Sequence, residues 1–485
     1  MQQNLIQGAS TQLLCAAILI LAGCNSASYT VGGTVTGLST GESVTLLDNG
    51  GEALIVSGNG GFTFANRQAS GSTYDITVKS QTSGISCSVS NAGGTIGLSN
   101  VTSVAVSCSA GTESVLYFFK GGTTDGQDPG GGLIMDGAGN LYGTTAGGGT
   151  DGYGTVFKIN AAGTESVVYS FKGGTTDGDS PFGQLIMDSA GNLYGTTSVG
   201  GTNGDGTVFE ISAAGTESVL HSFVGGTTDG QQPIAGLIMD SAGNLYGTTE
   251  YGGANDDGTV FEISAAGTES VLHSFVGGTT DGQQPIAGLI MDSAGNLYGT
   301  TSFGGENDDG TVFKISARGT ESILYSFKGG TTDGKVPDSG VIMDSAGNLY
   351  GTTSMGGANG DGTVFEIGAA GTESILHFFD GYPTDGQLPW AGLIMDSAGN
   401  LYGTTTEGGD NDDGTVFKVD AAGTESILYS FKGGISDGQG PFSSLIIDGF
   451  GNLYGTTEGY SYVTPLNGTP VSSSANGDGT VFKIN

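Results

Sequence analysis

The sequence predicts an all-β protein, a seven-bladed β-propeller of four-stranded blades preceded by a small β-sandwich. Three observations carry that prediction. Gly-Thr-Glu-Ser opens at Gly111, Gly163, Gly215, Gly267, Gly319, Gly371 and Gly423, each start 52 residues after the last. Helix signals are almost absent beyond residue 24, while Gly supplies 95 of 485 residues. The array also begins and ends in mid-unit. A fixed period of this size marks one supersecondary unit that must pack against copies of itself to bury its faces.

Each repeat reads as four strands. In the second copy strand A is Leu185-Ile-Met-Asp and strand B is Leu193-Tyr-Gly-Thr-Thr. Strand C is Thr207-Val-Phe-Glu-Ile and strand D is Ser218-Val-Leu-His-Ser-Phe. Ser189-Ala-Gly-Asn joins A to B, and Ser212-Ala-Ala-Gly joins C to D. Both are hairpin loops with Gly available for positive φ. The D–A link, Gly225 to Ala235, and the B–C link, Ser198 to Gly206, are longer. Strands A to C carry apolar residues on both faces, such as Val208 and Phe209, as a sheet packed between two neighbours needs.

The phase of the array sets its expected closure. It starts with a lone D strand, Glu113 to Phe119, and ends with a lone C strand, Thr480 to Ile484. Every blade is complete only if the first strand joins the last blade, which removes the open edges. An open solenoid would want polar caps and rungs without hairpins, and the sequence has neither.

Residues 29–109 lie outside the repeat. Segments such as Ser43-Val-Thr-Leu-Leu and Tyr74-Asp-Ile-Thr-Val alternate in strand fashion between Gly, Asn and Ser clusters. About seven short strands are expected, a small β-sandwich. It looks like the Ig-like or prealbumin-like spacers that follow bacterial lipoprotein signals. The N-terminus fits that setting. Leu13 to Ala22 is apolar, and Leu21-Ala22-Gly23-Cys24 resembles a bacterial lipobox. The resemblance implies that segment 1–23 is removed, that Cys24 carries the lipid, and that 24–28 is a linker. About ten apolar residues are too few to span a bilayer. The segment before them has no Lys or Arg, a departure from the pattern that leaves ordinary secretion as the alternative. Asn25 is not the Asp that retains some lipoproteins at the inner membrane, so the expected place is the outer membrane, facing outward. Cys15 falls in the signal, which leaves Cys87 and Cys108 as a disulfide pair in an exported protein.

With 48 acidic and 12 basic residues the net charge is −36. Nucleic acid is excluded as a partner, because phosphate binding needs clustered Lys and Arg. Cations, basic surfaces and solubility are the compatible readings.

The repeat motif is Gly-x-Leu-Tyr-Gly-Thr-Thr-x-x-Gly-Gly followed by Gly-Thr-Val-Phe, as in Asn244-Leu-Tyr-Gly-Thr-Thr with Gly258-Thr-Val-Phe. It resembles the tandem repeat of the choice-of-anchor GloVer-containing proteins over residues 111–485. The resemblance implies an extracellular bacterial protein and assigns no activity. Some members carry a C-terminal sorting signal. This chain stops at Asn485 inside the last strand, so Cys24 is the expected anchor.

The A–B and C–D turns are nearly invariant among the copies, whereas the D–A and B–C loops vary. A partner site is therefore expected on the D–A/B–C face. Asn-Asp-Asp-Gly recurs in the B–C loops, and Asp257, Asp309 and Asp413 are candidate calcium ligands. The same tetrapeptide is also ordinary turn chemistry. The residue after the loop proline changes from copy to copy and is aromatic at Phe182, Trp390 and Phe442. These rings either stack on a ligand or plug the channel. The seventh B–C loop carries a 13-residue insertion between Gly459 and Gly479, with Tyr460 and Tyr462 as contact candidates.

Catalytic constellations are poor. His221, His273 and His377 share one strand-D position that is Tyr in other copies, which reads as packing equivalence. Gly434-Ile-Ser-Asp-Gly matches a nucleophile-elbow pattern without an elbow or a partnered His. Residues 210–249 and 262–301 are identical, which favours a ring used as a surface over one built around a reaction. The expected function is a monomeric, surface-anchored, non-enzymatic module binding a protein or glycan. A lyase-like enzyme acting on extracellular polysaccharide and a structural envelope protein are the alternatives. Replacing Cys87 and Cys108 by Ala is expected to cost the N-terminal unit about 3 kcal/mol, read by urea unfolding. An unchanged midpoint contradicts the disulfide reading.

Overall fold

The computed structural model describes residues 28–81, 85–110, 113–421, 423–434, 437–459 and 478–485. Cys24, Tyr460, Tyr462 and the expected signal segment 1–23 lie outside the described residues. The chain divides into two compact units, Met1–Ala110 and Gly111–Asn485. Among the described residues there is no α-helix, and no helix is long and apolar enough to cross a membrane.

The first unit holds two four-stranded sheets. One runs Gly60–Thr63, Val31–Thr36, Val101–Ala110, Ile85–Ser90. The other runs Glu52–Val56, Val44–Asp48, Thr73–Gln81, Gly93–Thr95. Alternate residues point into one shared core, among them Val31, Val35, Val44, Leu46, Ile76 and Val104. Val31–Thr36 and Val101–Ala110 pair in parallel, which local alternation gives no means of reading. Cys87 stands opposite Cys108 on antiparallel strands, and the two sulfurs are bonded.

The second unit contains seven four-stranded antiparallel sheets, each in the order A-B-C-D. In the second copy the strands are Ile186–Met187, Leu193–Thr197, Thr207–Ile211 and Glu217–Ser222. Strand A is shorter than expected because Asp188 turns the chain. Its Oδ1 accepts the N–H groups of Ala190 and Asn192 at 2.8 and 2.9 Å. Its Oδ2 accepts Asn192 Nδ2 at 2.8 Å. This is an Asx turn, in which a side chain replaces the strand ladder. Strand B has glycine where a Cβ on Gly195 would stand 2.7 Å from Phe209 Cζ, so the strand-C ring can lie across it. Between C and D the register slips in every sheet, at Val208/Phe209 in this copy. Such a bulge bends the strand and increases its twist.

The seventh sheet joins the two ends of the unit. It runs Glu113–Phe118, Thr480–Ile484, Leu453–Thr457, Ile446–Ile447. Glu113 pairs with Ile484 and Phe118 with Thr480, so the lone D strand and the lone C strand lie side by side. The D–A and B–C loops also pair, Gly178–Asp179 with Val199–Gly200 and likewise in five other repeats. The sequence reads both as longer links between strands.

The core lies between sheets. One cluster joins Val156 and Phe171 of the first sheet to Leu185, Leu193, Phe209 and Ile211 of the second. Another joins Phe119 and Val481 of the seventh to Leu133, Leu141, Phe157 and Ile159 of the first. Seven such clusters serve the seven sheets. Burying a Phe in such a cluster contributes about 2–3 kcal/mol of transfer free energy, and removing it leaves a cavity as well. Phe482→Ala is therefore expected to cost about 3–5 kcal/mol by denaturant unfolding, as much as Phe313→Ala in an interior sheet. A much smaller loss at Phe482 would mean that the pairing of the first and last strands contributes little.

Candidate functional site

The A strands, the D–A loops and neighbouring loop residues line one cavity of about 1080 Å³. Every repeat contributes to it. Its wall is apolar, with Ile238, Ile290, Ile342 and Ile394 from successive A strands. Its mouth is formed by the residue after the loop proline: Gly130, Phe182, Ile234, Ile286, Asp338, Trp390 and Phe442.

Backbone strain sets that position. Two residues upstream of the first six mouth residues, Asp128, Ser180, Gln232, Gln284, Val336 and Leu388 take φ between 55 and 59°, and Gly440 takes 57° before the seventh. Non-glycine residues seldom adopt this region, and a β-branched valine least of all. The loops hold them there. Gln232 N–H donates to Asp205 O at 2.9 Å, and Gln232 O accepts from Glu250 N–H at 3.1 Å. The clamped residue precedes the proline, and the residue X after that proline lines the cavity and varies from copy to copy.

The mouth is chemically asymmetric. Trp390 and Phe442 stack at 5.6 Å with an interplanar angle of 27°. Gly130 leaves room for Phe182, whose Cε1 would stand 2.7 Å from a Cβ on that glycine. All three aromatic candidates therefore line the cavity, and two of them touch. Carboxyls flank them. Burial pushes Asp338 up to about 6, against hydrogen bonds from Ser354 and Ser302 at 2.7 and 2.8 Å. Burial and then the Asp478 charge raise Asp128 to about 6. Burial and then the Asp128 charge raise Glu458 to about 7. None of these carboxyls was singled out in the sequence. The signal for Asp338 was present, because it is the one acid at a position that is otherwise apolar or Gly.

The other candidates fare differently. In Asn255-Asp-Asp-Gly the first aspartate has φ 64° and its Oδ1 accepts Gly252 N–H at 2.9 Å. Asp308 and Asp412 repeat the contact. The second aspartates are Asp257, Asp309 and Asp413, and Asp309 pairs with Lys335 at 3.5 Å. Among the described residues none of these three gathers with two other His, Cys, Asp or Glu side chains. The three histidines occupy three separate sheets, yet each meets an Asp and a Glu, a grouping that inspection of the histidines alone does not find.

The model of the Gloeobacter/Verrucomicrobia repeat matches residues 73–290 and 265–465. No curated protein matches the chain. Among solved structures it is similar to virginiamycin B lyase from Staphylococcus aureus, at 12% identity and a TM-score of 0.48, over 77% of this chain and 99% of that one. It is also similar to a puromycin hydrolase, at 12% identity and a TM-score of 0.47, over 68% of this chain and 50% of that one.

Asp338 has a pH signature. Its unfolded value is near 3.9, so between there and about 6 the folded chain keeps a proton that the unfolded chain releases. Stability from this group is full below the lower value and is lost as pH rises through the upper one. Asp338→Asn is expected to stabilise by on the order of 1–2 kcal/mol at pH 8 and by nothing at pH 4, read by denaturant unfolding. A gain that does not depend on pH contradicts the assignment.

Proposed function

We propose that this chain, which belongs to the Gloeobacter/Verrucomicrobia repeat family, is an extracellular binding module built as a closed seven-bladed β-propeller. In this reading Cys24 anchors it to the outer membrane, the 29–109 sandwich is a spacer, and the D–A/B–C face takes the ligand. Two sets of contacts support the ring. Edge-to-face Phe pairs lead from Phe119–Phe157 through Phe171–Phe209 and onward to Phe431–Phe482, seven contacts that return to the starting sheet. Strand-B threonines donate to the next repeat in the same circuit, from Thr144 to Gly183 O and finally from Thr456 to Gly131 O. An open stack of seven sheets would have six such junctions.

The observation that carries the binding function is the stacked Trp390–Phe442 pair at the mouth of a cavity shared by all repeats. Aromatic faces beside hydroxyl and carboxyl groups suit a sugar ring, which offers C–H faces and hydroxyls. The same face carries Val199, Phe303 and Met355, each more than a third exposed, on the B–C loops. Variation collects here while the opposite turns stay constant, as expected for a binding surface on a fixed scaffold.

One observation favours an enzyme as the second reading. Asp128 and Glu458 are neighbouring carboxyls raised toward neutrality beside the aromatic mouth, and such pairs perform acid–base chemistry. Glycan-array binding followed by titration of Trp390 fluorescence separates the two readings, since Trp390 is the sole tryptophan. Phe442→Ala is expected to weaken binding ten- to a hundredfold without turnover. Release of product from the bound glycan, lost in Glu458→Gln, would replace the binding module with the enzyme. Binding that survives Phe442→Ala unchanged would remove the mouth as the site.

A further inference from the structure

Seven equivalent side-chain groups bridge neighbouring sheets at strand D, away from the cavity. In each, the fifth residue of strand D meets an aspartate eight residues later and the opening glutamate of another strand D. Four groups use tyrosine: the hydroxyls of Tyr117, Tyr169, Tyr325 and Tyr429 donate to Asp125, Asp177, Asp333 and Asp437 at 2.7–2.8 Å. Each of these tyrosines is followed three residues later by a lysine whose Nζ lies 5.6–5.8 Å from the ring centre. The lysine supplies positive charge beside two carboxyls.

Three groups use histidine. Nε2 lies 3.4 Å from Asp229 in His221, 3.3 Å from Asp281 in His273 and 3.0 Å from Asp385 in His377. In all three the lysine is gone, replaced by Val224, Val276 and Asp380. The exchange is complete in both directions: lysine accompanies tyrosine and is lost with histidine. Two carboxyls thus keep their places while their fixed cation is removed, and at His377 a third acid takes its position.

The donor sets are His221, Asp229 and Glu269; His273, Asp281 and Glu321; His377, Asp385 and Glu425. One ligand atom from each residue lies within 4.8 Å of the other two. The three aspartate side chains are only 7–9% exposed. Oε1 of the glutamate is buried without a hydrogen-bond partner at all seven junctions, tyrosine and histidine alike, whereas Nε2 of His221 is an open buried atom found at a histidine junction. Buried polar atoms of this kind require a partner.

We propose that these three groups bind divalent transition metals of the zinc class, one ion at each junction, held by a strand-D histidine, the aspartate of the loop that follows it and the glutamate of the next sheet. One borderline imidazole nitrogen beside two hard carboxylate oxygens is a mixed donor set that zinc accepts, and three protein ligands leave a position for water. Calcium and magnesium prefer oxygen alone. A doubly charged ion replaces the missing lysine and balances both carboxylates, so it cross-links sheets where the tyrosine groups use a hydrogen bond.

The protein supplies its own controls, because the tyrosine–lysine groups show what a metal-free junction looks like. The metal-stripped full chain is titrated with zinc by calorimetry and with cobalt by visible absorption. His377→Tyr with Asp380→Lys, His221→Tyr with Val224→Lys, and His273→Tyr with Val276→Lys are each expected to remove one equivalent of zinc and one third of the cobalt band. All three pairs together are expected to abolish that band while the unfolding transition stays cooperative. A stoichiometry that does not fall with these replacements overturns the proposal and leaves imidazolium–carboxylate ion pairs only.

Discussion

Neighbouring sheets of the repeat unit meet through two phenylalanines, one at the end of strand D and one in the middle of strand C of the next sheet. The rings sit 5.0–5.1 Å apart at 67–71° in all seven junctions. This edge-to-face contact sets other features of the repeat. Strand B needs glycine beneath the strand-C ring, and Leu185 or its equivalent closes over the same ring from strand A. A single four-stranded sheet has no such partner and cannot bury both faces. Stability in this unit is therefore a property of junctions and not of sheets.

Much of this was legible in the sequence. Period, strand order and the lone strands at each end follow from Gly-Thr-Glu-Ser, Leu-Tyr-Gly-Thr-Thr and Gly-Thr-Val-Phe recurring at one spacing. The disulfide followed from Cys87 and Cys108 being the cysteines left after the signal. What stayed hidden depends on contacts far apart in sequence. The parallel pairing of Val31–Thr36 with Val101–Ala110 leaves no local mark. The pairing of Gly178–Asp179 with Val199–Gly200 joins two segments that each read as loop. The positive φ of Val336 runs against its residue type, and only the surrounding clamp maintains it. The mouth aromatics could be found because they break the repeat. The His–Asp–Glu groups were missed because the three residues come from two repeats, although the coincident loss of lysine was visible.

The repeat separates two kinds of site. At the cavity mouth the scaffold fixes a Pro-X pair and lets X change, so one opening collects five kinds of side chain at seven equivalent positions. At strand D the scaffold fixes two carboxyls and exchanges Tyr–Lys for His with Val or Asp, so each junction is a copy of one of two designs. In the proposed binding module the first arrangement sets selectivity, because the mouth is polar at Asp338 and aromatic at Trp390 and Phe442. In the proposed metal sites the second adjusts how strongly adjacent sheets are joined. Copying a repeat, as residues 210–249 and 262–301 show, preserves the second property and dilutes the first.

The proposed ring rests on Glu113–Phe118 lying along Thr480–Ile484. Hydrogen exchange followed residue by residue tests it most directly. If the ring is closed, the amides of Thr480–Ile484 exchange as slowly as those of Thr207–Ile211 in an interior sheet, because both strands are paired on each side. Exchange of the ladder facing Glu113–Phe118 at the rate of a free sheet edge, with the interior strands still protected, would contradict the closed ring.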